Sequence, residues 1–300
     1  MSSSNSPAAP VLRIFRLASG TNSYVAQYGE HWLDLSRYLS TQKLGIDLLH
    51  LVASGFFERA AFERRLSESD WPKAQPVFGE FGLDVPIPPR DVRKILALGK
   101  NFREHAAEFG EAVPEEPLVF NKLPETLVPH GATVRVPAWY TKRVDHEAEL
   151  VVVIGREGSL IRAEDAWKHV AGYTVANDLT ARTLQGEDRE KKYPWFRAKN
   201  LDQFCPLGPC FVPRDFLDLS DLRVRARVNG ELRQDATTKD FVVDVPHALE
   251  YLSRHLTLRP GDLVLTGTPA GVGPLKDGDV VECSVEGIGA LVTHIARPAG

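Results

Sequence analysis

The sequence predicts a mixed α+β fold, mostly β, with a larger strand-rich domain over residues 90–298 and a smaller α+β domain over residues 11–85. Three observations lead there. Short strand-like segments bounded by Gly-rich turns dominate the later half, with no alternation of strand and long helix that would mark a doubly wound sheet. One amphipathic helical stretch lies in the first quarter of the chain. Between these regions the segment VPIPPR carries Pro86, Pro88 and Pro89, which can neither continue a helix nor sit in a central strand, so a boundary falls there.

The elements follow in order. MSSSNSPAAP, residues 1–10, is a polar tail with no pattern that would order it. Val11 to Leu17, Tyr24 to Tyr28 and the segment around Trp32, Leu33 and Leu35 read as strands. From Ile46 to Leu66, Leu48, Leu49, Val52, Phe56 and Ala60 recur at helical spacing, with Gly55 as an interruption. Beyond the prolines, Ile95 to Leu98 is a strand and Lys100 to Phe109 a helical stripe. Val144 to Ile154 is a buried strand, Ala163 to Val170 a helix, and Tyr173 to Ala176 a strand ending at Asn177 and Asp178. Asn229-Gly230 lies between Arg223 to Val228 and Glu231 to Gln234, and this dipeptide favours a tight hairpin because both positions need positive φ. Leu249, Leu252 and Leu256 mark a helix, and three strands from Leu263 to Thr266, Val280 to Val285 and Ala290 to Ile295 close the chain.

Composition excludes several classes. The chain is 43% hydrophobic and 25% charged with a formal net charge of -4, and no basic face is available for nucleic acid. The N-terminal tail lacks the apolar stretch of a secretory signal, and no apolar run is long enough to span a bilayer. Cys205, Cys210 and Cys283 form no CxxC pair, which argues against a disulfide framework or structural zinc and fits a cytoplasmic protein with three packing cysteines.

The chemistry is concentrated in DHEAELVVVIG. Alternate residues of a strand share a face, so Glu147 and Glu149 can converge on one cation. Asp145 has the same parity and could be a third ligand or a neighbour of the ligands, while His146 and Ala148 face away. Hard carboxylate donors suit magnesium, manganese or calcium better than zinc. By spacing alone the same pair fits the solvent face of an edge strand, and Asp178 alone fits a helix N-cap ahead of Leu179 to Arg182.

Six segments taken together are more specific: LGKNFREHAAE at 98–108, PLVFNKLPET at 117–126, VDHEAELVVVIG at 144–155, NDLTARTLQ at 177–185, PWFRAKNLDQFCPLGP at 194–209 and TGTPAGVG at 266–273. In this order and spacing they resemble the fumarylacetoacetate hydrolase family, specifically its acylpyruvase and 2-hydroxyhepta-2,4-diene-1,7-dioate isomerase-like branch, from about Ile95 to Ile295. The resemblance implies a distorted β-roll, a homodimer, and one Mg2+ or Mn2+ held by Glu147, Glu149 and Asp178. It places Lys199 beside the metal, Arg182, Gln185 and Lys122 at the substrate, and Thr268 at the substrate carboxylate. In this chain Leu123 separates Lys122 from Pro124, a departure from the family's pattern at that lysine.

The family acts on small 2-oxo acids through an enolate formed beside a departing carbon. His105 and Glu108 match the pair that C–C hydrolysing members carry on a short helix over the substrate. Three apart on a helix, Glu108 can accept a hydrogen bond from His105 and raise its basicity. The expected activity is therefore hydrolysis of an acylpyruvate-like 1,3-dicarbonyl acid through a metal-bound enolate, with His105 activating water. The alternative is decarboxylation of an oxaloacetate-like diacid, or isomerisation and decarboxylation of a 2-hydroxy-dienedioate in aromatic catabolism, in keeping with the extra N-terminal residues.

Overall fold

The computed structural model describes residues 9–18, 23–74, 82–104 and 116–297. Strands β1 (Leu12–Leu17), β2 (Ser23–Tyr28) and β3 (His31–Asp34) form an antiparallel meander. Three helices follow: α1 (Leu35–Thr41), α2 (Leu48–Ala53) and α3 (Arg59–Glu68). Asp34 and Asp47 cap the first two, each accepting from the backbone N–H three residues on. The helical period read over Ile46 to Leu66 is real but divided. Gly55, at φ 72°, turns the chain between α2 and α3.

The larger region contains β4 (Ile95–Gly99), β5 (Leu118–Lys122), β6 (Leu127–Val128), β7 (Thr133–Arg135), β8 (Val144–Asp145), β9 (Ala148–Ile154), β10 (Val170–Asn177) and β11 (Thr180–Ala181). After α4 (Arg182–Glu190) and α5 (Phe196–Lys199) come β12 (Cys205–Pro213), the hairpin β13 (Arg223–Val228) and β14 (Glu231–Thr237), and α6 (Val245–His255). β15 (Leu263–Leu265), β16 (Val280–Val285) and β17 (Gly289–Ala296) complete the chain. The predicted helix at Ala163 to Val170 is a 3-10 helix, Ala163–His169.

One long sheet runs β3-β2-β1-β12-β10-β9-β15-β4-β5, with β6 alongside β12, and a second runs β14-β13-β16-β17-β7. The N-terminal strands enter the long sheet where Ile14 of β1 faces Phe211 of β12. Buried apolar side chains from both parts of the chain belong to one core. In β9 every residue is buried, which is the pattern of a strand covered on both faces. β13 instead alternates buried and more exposed residues, as a strand with one face on the core does.

β12 is the strand that composition conceals. CPLGPCFVP carries three prolines, yet all nine residues are buried. The ladder with β10 accommodates Pro209 by a bulge, the register passing from Tyr173↔Val212 to Val175↔Gly208. All three cysteines are buried and free. Among the described residues, no helix is long and apolar enough to cross a membrane.

Candidate active site

The site forms where β9 and β10 run side by side. Their register sets Glu149 opposite Ala176 and Ala148 opposite Asn177, so the next residue of β10's chain, Asp178, arrives beside Glu147. The Asp178 N–H donates to Glu147 O at 2.8 Å, and the Asn177 side chain accepts from Glu147 N at 3.1 Å. Glu147 lies in the short break between β8 and β9. Its carboxylate still converges with those of Glu149 and Asp178, and the three offer oxygens all within 4.8 Å of one another.

Asp145, of the same parity, does not join them. Its β8 strand pairs with β11, Thr180 facing Asp145, and its carboxylate accepts from Arg143 at 2.6 and 2.9 Å and from Arg182 at 2.8 Å. Asp178 is no helix cap, because Thr180 and Ala181 form β11 before α4 begins at Arg182.

Lys199, at the end of α5, places its ammonium 2.8 Å from Glu147 Oε2 and 2.5 Å from Asp178 Oδ2, and 4.5 Å from the centre of the Phe120 ring. Burial lowers its pKa, but Asp178 and Glu147 outweigh burial and hold it above the usual lysine range. Lysine 199 is thus a fixed cation. Burial, followed by repulsion from Asp178 and Glu147, pushes the Glu149 carboxyl well above the usual carboxylate range, although Gly267 N–H donates to it at 2.7 Å. A cation among the three carboxylates would counter that repulsion.

The donor set itself fits a hard divalent ion: three buried carboxylates with oxygens within 4.8 Å of one another. Asp178 Oδ1 is buried and ion-paired with Lys122 Nζ at 2.7 Å, and Lys122 also donates to Lys199 O at 2.5 Å and Leu179 O at 3.4 Å. Lys122 lies behind Asp178, away from the lining of the cavity.

The cavity, about 210 Å³, has an apolar side at Leu98, Phe120 and Trp195. Glu147, Glu149 and Lys199 line it, as do Arg182, Gln185 and Thr268. Arg182 donates to Asp145 Oδ2 through Nε, to Gln185 Oε1 at 2.6 Å through Nη1, and to Glu147 Oε1 through Nη2. Gln185 is three residues along α4, within reach on the same helical face. His105 and Glu108 lie outside the described residues.

Two buried amides were not marked by the sequence. Asn101 donates to Thr266 O at 2.8 Å and Val243 O at 3.0 Å and accepts from Val243 N at 2.8 Å, supporting the turn at Gly267, φ 94°. Gln234 of β14 accepts from Ala148 N at 3.1 Å and donates to Thr268 Oγ1 at 2.8 Å and Pro269 O at 2.7 Å. It thereby ties the second sheet to the ligand strand and to the loop after β15. Gln234→Leu is expected to cost about 2–4 kcal/mol by leaving these buried groups unpaired. Urea unfolding measures it, as a lower midpoint at unchanged slope.

Residues 94–296 match the model of the fumarylacetoacetate (FAA) hydrolase C-terminal family. The chain belongs to the fumarylacetoacetate hydrolase family. Oxaloacetate tautomerase YisK of Bacillus subtilis is 42% identical over 226 residues, covering 72% of this chain and 73% of that protein. A mitochondrial oxaloacetate decarboxylase of Dictyostelium discoideum is 39% identical over 198 residues, 65% of this chain and 90% of its own. Among solved structures, a 5-carboxymethyl-2-hydroxymuconate delta-isomerase from Mycobacterium smegmatis superposes with a TM-score of 0.73 at 32% identity, covering 96% of this chain and 100% of that one. The mixed, mostly β architecture agrees with the fumarylacetoacetate hydrolase fold, and the buried acidic triad could hold the divalent ion such enzymes use.

Proposed function

We propose that this chain is a divalent-metal-dependent enzyme of small 2-oxo diacids, and that it tautomerises or decarboxylates an oxaloacetate-like substrate through an enolate. The observation that carries the reading is the buried triad of Glu147, Glu149 and Asp178 with the Lys199 ammonium between two of its members. These three carboxylates would hold magnesium or manganese, which supplies Lewis-acid polarisation of the 2-oxo group. Lys199 adds a preorganised positive charge where enolate charge develops. Arg182, braced by Asp145, Glu147 and Gln185, offers a fixed guanidinium to a substrate carboxylate. Phe120 and Trp195, rings 5.6 Å apart, shield that side from water.

Tautomerisation and decarboxylation need no water nucleophile, whereas hydrolysis does, and the hydrolytic reading rested on His105 and Glu108. The names of the tautomerase and decarboxylase relatives favour the reactions without water. Isomerisation of a hydroxymuconate-like diacid is the second reading, supported by the match of the M. smegmatis isomerase along nearly the whole chain, N-terminal region included.

A substrate panel tests the proposal. Enol–keto conversion or carbon dioxide release from oxaloacetate, corrected for the uncatalysed rate, is expected to exceed hydrolysis of acetylpyruvate, to vanish with EDTA and to return with magnesium or manganese. Faster acetylpyruvate cleavage, or rates indifferent to EDTA, would overturn it.

A further inference from the structure

Two backbone groups determine the direction of every hydrogen bond around Thr268. Ala148 N–H can only donate and Pro269 C=O can only accept. Gln234 meets both, at 3.1 and 2.7 Å, so its carbonyl faces Ala148 and its amide NH2 faces Pro269. The reversed amide would set donor against donor and acceptor against acceptor. The NH2 group, having only hydrogens to give, donates to Thr268 Oγ1 at 2.8 Å. Thr268 Oγ1 in turn lies 2.9 Å from Ala148 O, an acceptor, so the hydroxyl hydrogen goes there. The same logic assigns the Nδ1 hydrogen of His146, 3.2 Å from Gln234 Oε1, to the nitrogen facing Gln234.

A hydroxyl has one hydrogen and two lone pairs. Thr268 has given its hydrogen to Ala148 and one lone pair to Gln234, and both residues are buried, at 3% and 0% exposure. What its side chain has left for the cavity is a single lone pair. The other polar side chains lining the cavity are the cations Lys100, Arg182, Arg189 and Lys199, the carboxylates of Glu147 and Glu149, and the Gln185 amide. Thr268 is a neutral acceptor among them, beside the Gln185 carbonyl, which already accepts from Arg182 at 2.6 Å.

We infer that Gln234 and Ala148 hold Thr268 as a hydrogen-bond acceptor, so that the site selects an occupant bearing a hydroxyl, the enol form of a 2-oxo diacid, over its keto form at that position. This rests on the reading that the occupant is a small 2-oxo diacid. It differs from the role the resemblance assigned to Thr268, since a carboxylate has no hydrogen to offer this lone pair. Gln234 acts through Thr268 and is a positioning residue.

The test uses ligands that are not turned over, so it stands or falls separately from the activity panel. Malate and succinate differ by one hydroxyl, and their affinities are measured by calorimetry on the magnesium-loaded protein. The preference for malate over succinate is expected to fall by about tenfold in Thr268→Val, as loss of one buried hydrogen bond implies, and to persist in Thr268→Ser. In the wild-type protein 2-methoxysuccinate, which has the oxygen without the hydrogen, is expected to bind no better than succinate. This last comparison needs no variant to fold. An unchanged malate preference in Thr268→Val, or 2-methoxysuccinate binding as tightly as malate, overturns the inference.

Discussion

Asp178→Asn is expected to lose detectable manganese binding and at least about a thousandfold in kcat/KM on the preferred 2-oxo diacid. The amide keeps the shape but removes a charge that answers two buried ammonium groups, with Lys199 at 2.5 Å and Lys122 at 2.7 Å. Lys199 retains Glu147, whereas Lys122, among the described residues, is left with the two carbonyls it donates to. Breaking a buried ion pair costs about 3–5 kcal/mol. Relief of repulsion with Glu149 offsets part of it, so the metal-free variant is expected to unfold at lower temperature by less than that figure alone implies. Calorimetric titration and thermal unfolding separate the two effects, and wild-type manganese affinity in Asp178→Asn would remove the triad as the ion's site.

Gly172→Ala is expected to be among the most damaging single methyl additions in the fold. A Cβ there would meet Val212 O at 2.1 Å and the Phe211 ring at 2.7 Å. The obstacle is a backbone carbonyl in β12, held in register by the pairing of Tyr173 with Val212, so it cannot step aside without opening the ladder at the centre of the long sheet. Overpacking of this kind costs about 3 kcal/mol or more, and a midpoint lower by roughly 6 °C or more follows. Gly45→Ala serves as the control, since nothing lies within 4 Å of its Cβ position. Equal midpoints for the two variants would show that β10 and β12 yield more readily than their packing implies.

What the sequence revealed depended on how local the cause was. Parity placed Glu147 and Glu149 on one side because two residues of extended chain suffice to decide it, even with Glu147 just outside β9. The same parity argument left Asp145 open, because beyond its neighbour Arg143 its partners come from β11 and Arg182, more than thirty residues away. The Asn229-Gly230 hairpin was legible for the local reason that both residues hold positive φ, 52° and 82°. β12 was not, since prolines that forbid a regular central strand are tolerated at a bulge supplied by β10. Gln234 looked like one more polar residue in ELRQDAT. Its importance comes from Ala148, Thr268 and Pro269, none of them near it in the chain. The long apolar strand beside the acids was visible, but the metal, substrate and lysine roles needed the ordered motifs of the family.

The acidic cluster also makes the fold itself responsive to its surroundings. Glu149 lies at the start of β9 with Glu147 just before it, and Asp178 directly follows β10, so a cation held by all three would clasp two neighbouring strands at the middle of the long sheet. The unfolded chain holds no such cluster, and binding free energy at the site therefore adds to folding free energy, by about 2.7 kcal/mol at a hundred times the dissociation constant. Without the ion, the crowded carboxylates oppose the same strand pairing. On the proposed function, the supply of free divalent ion would govern how long the protein lasts as well as how fast it works.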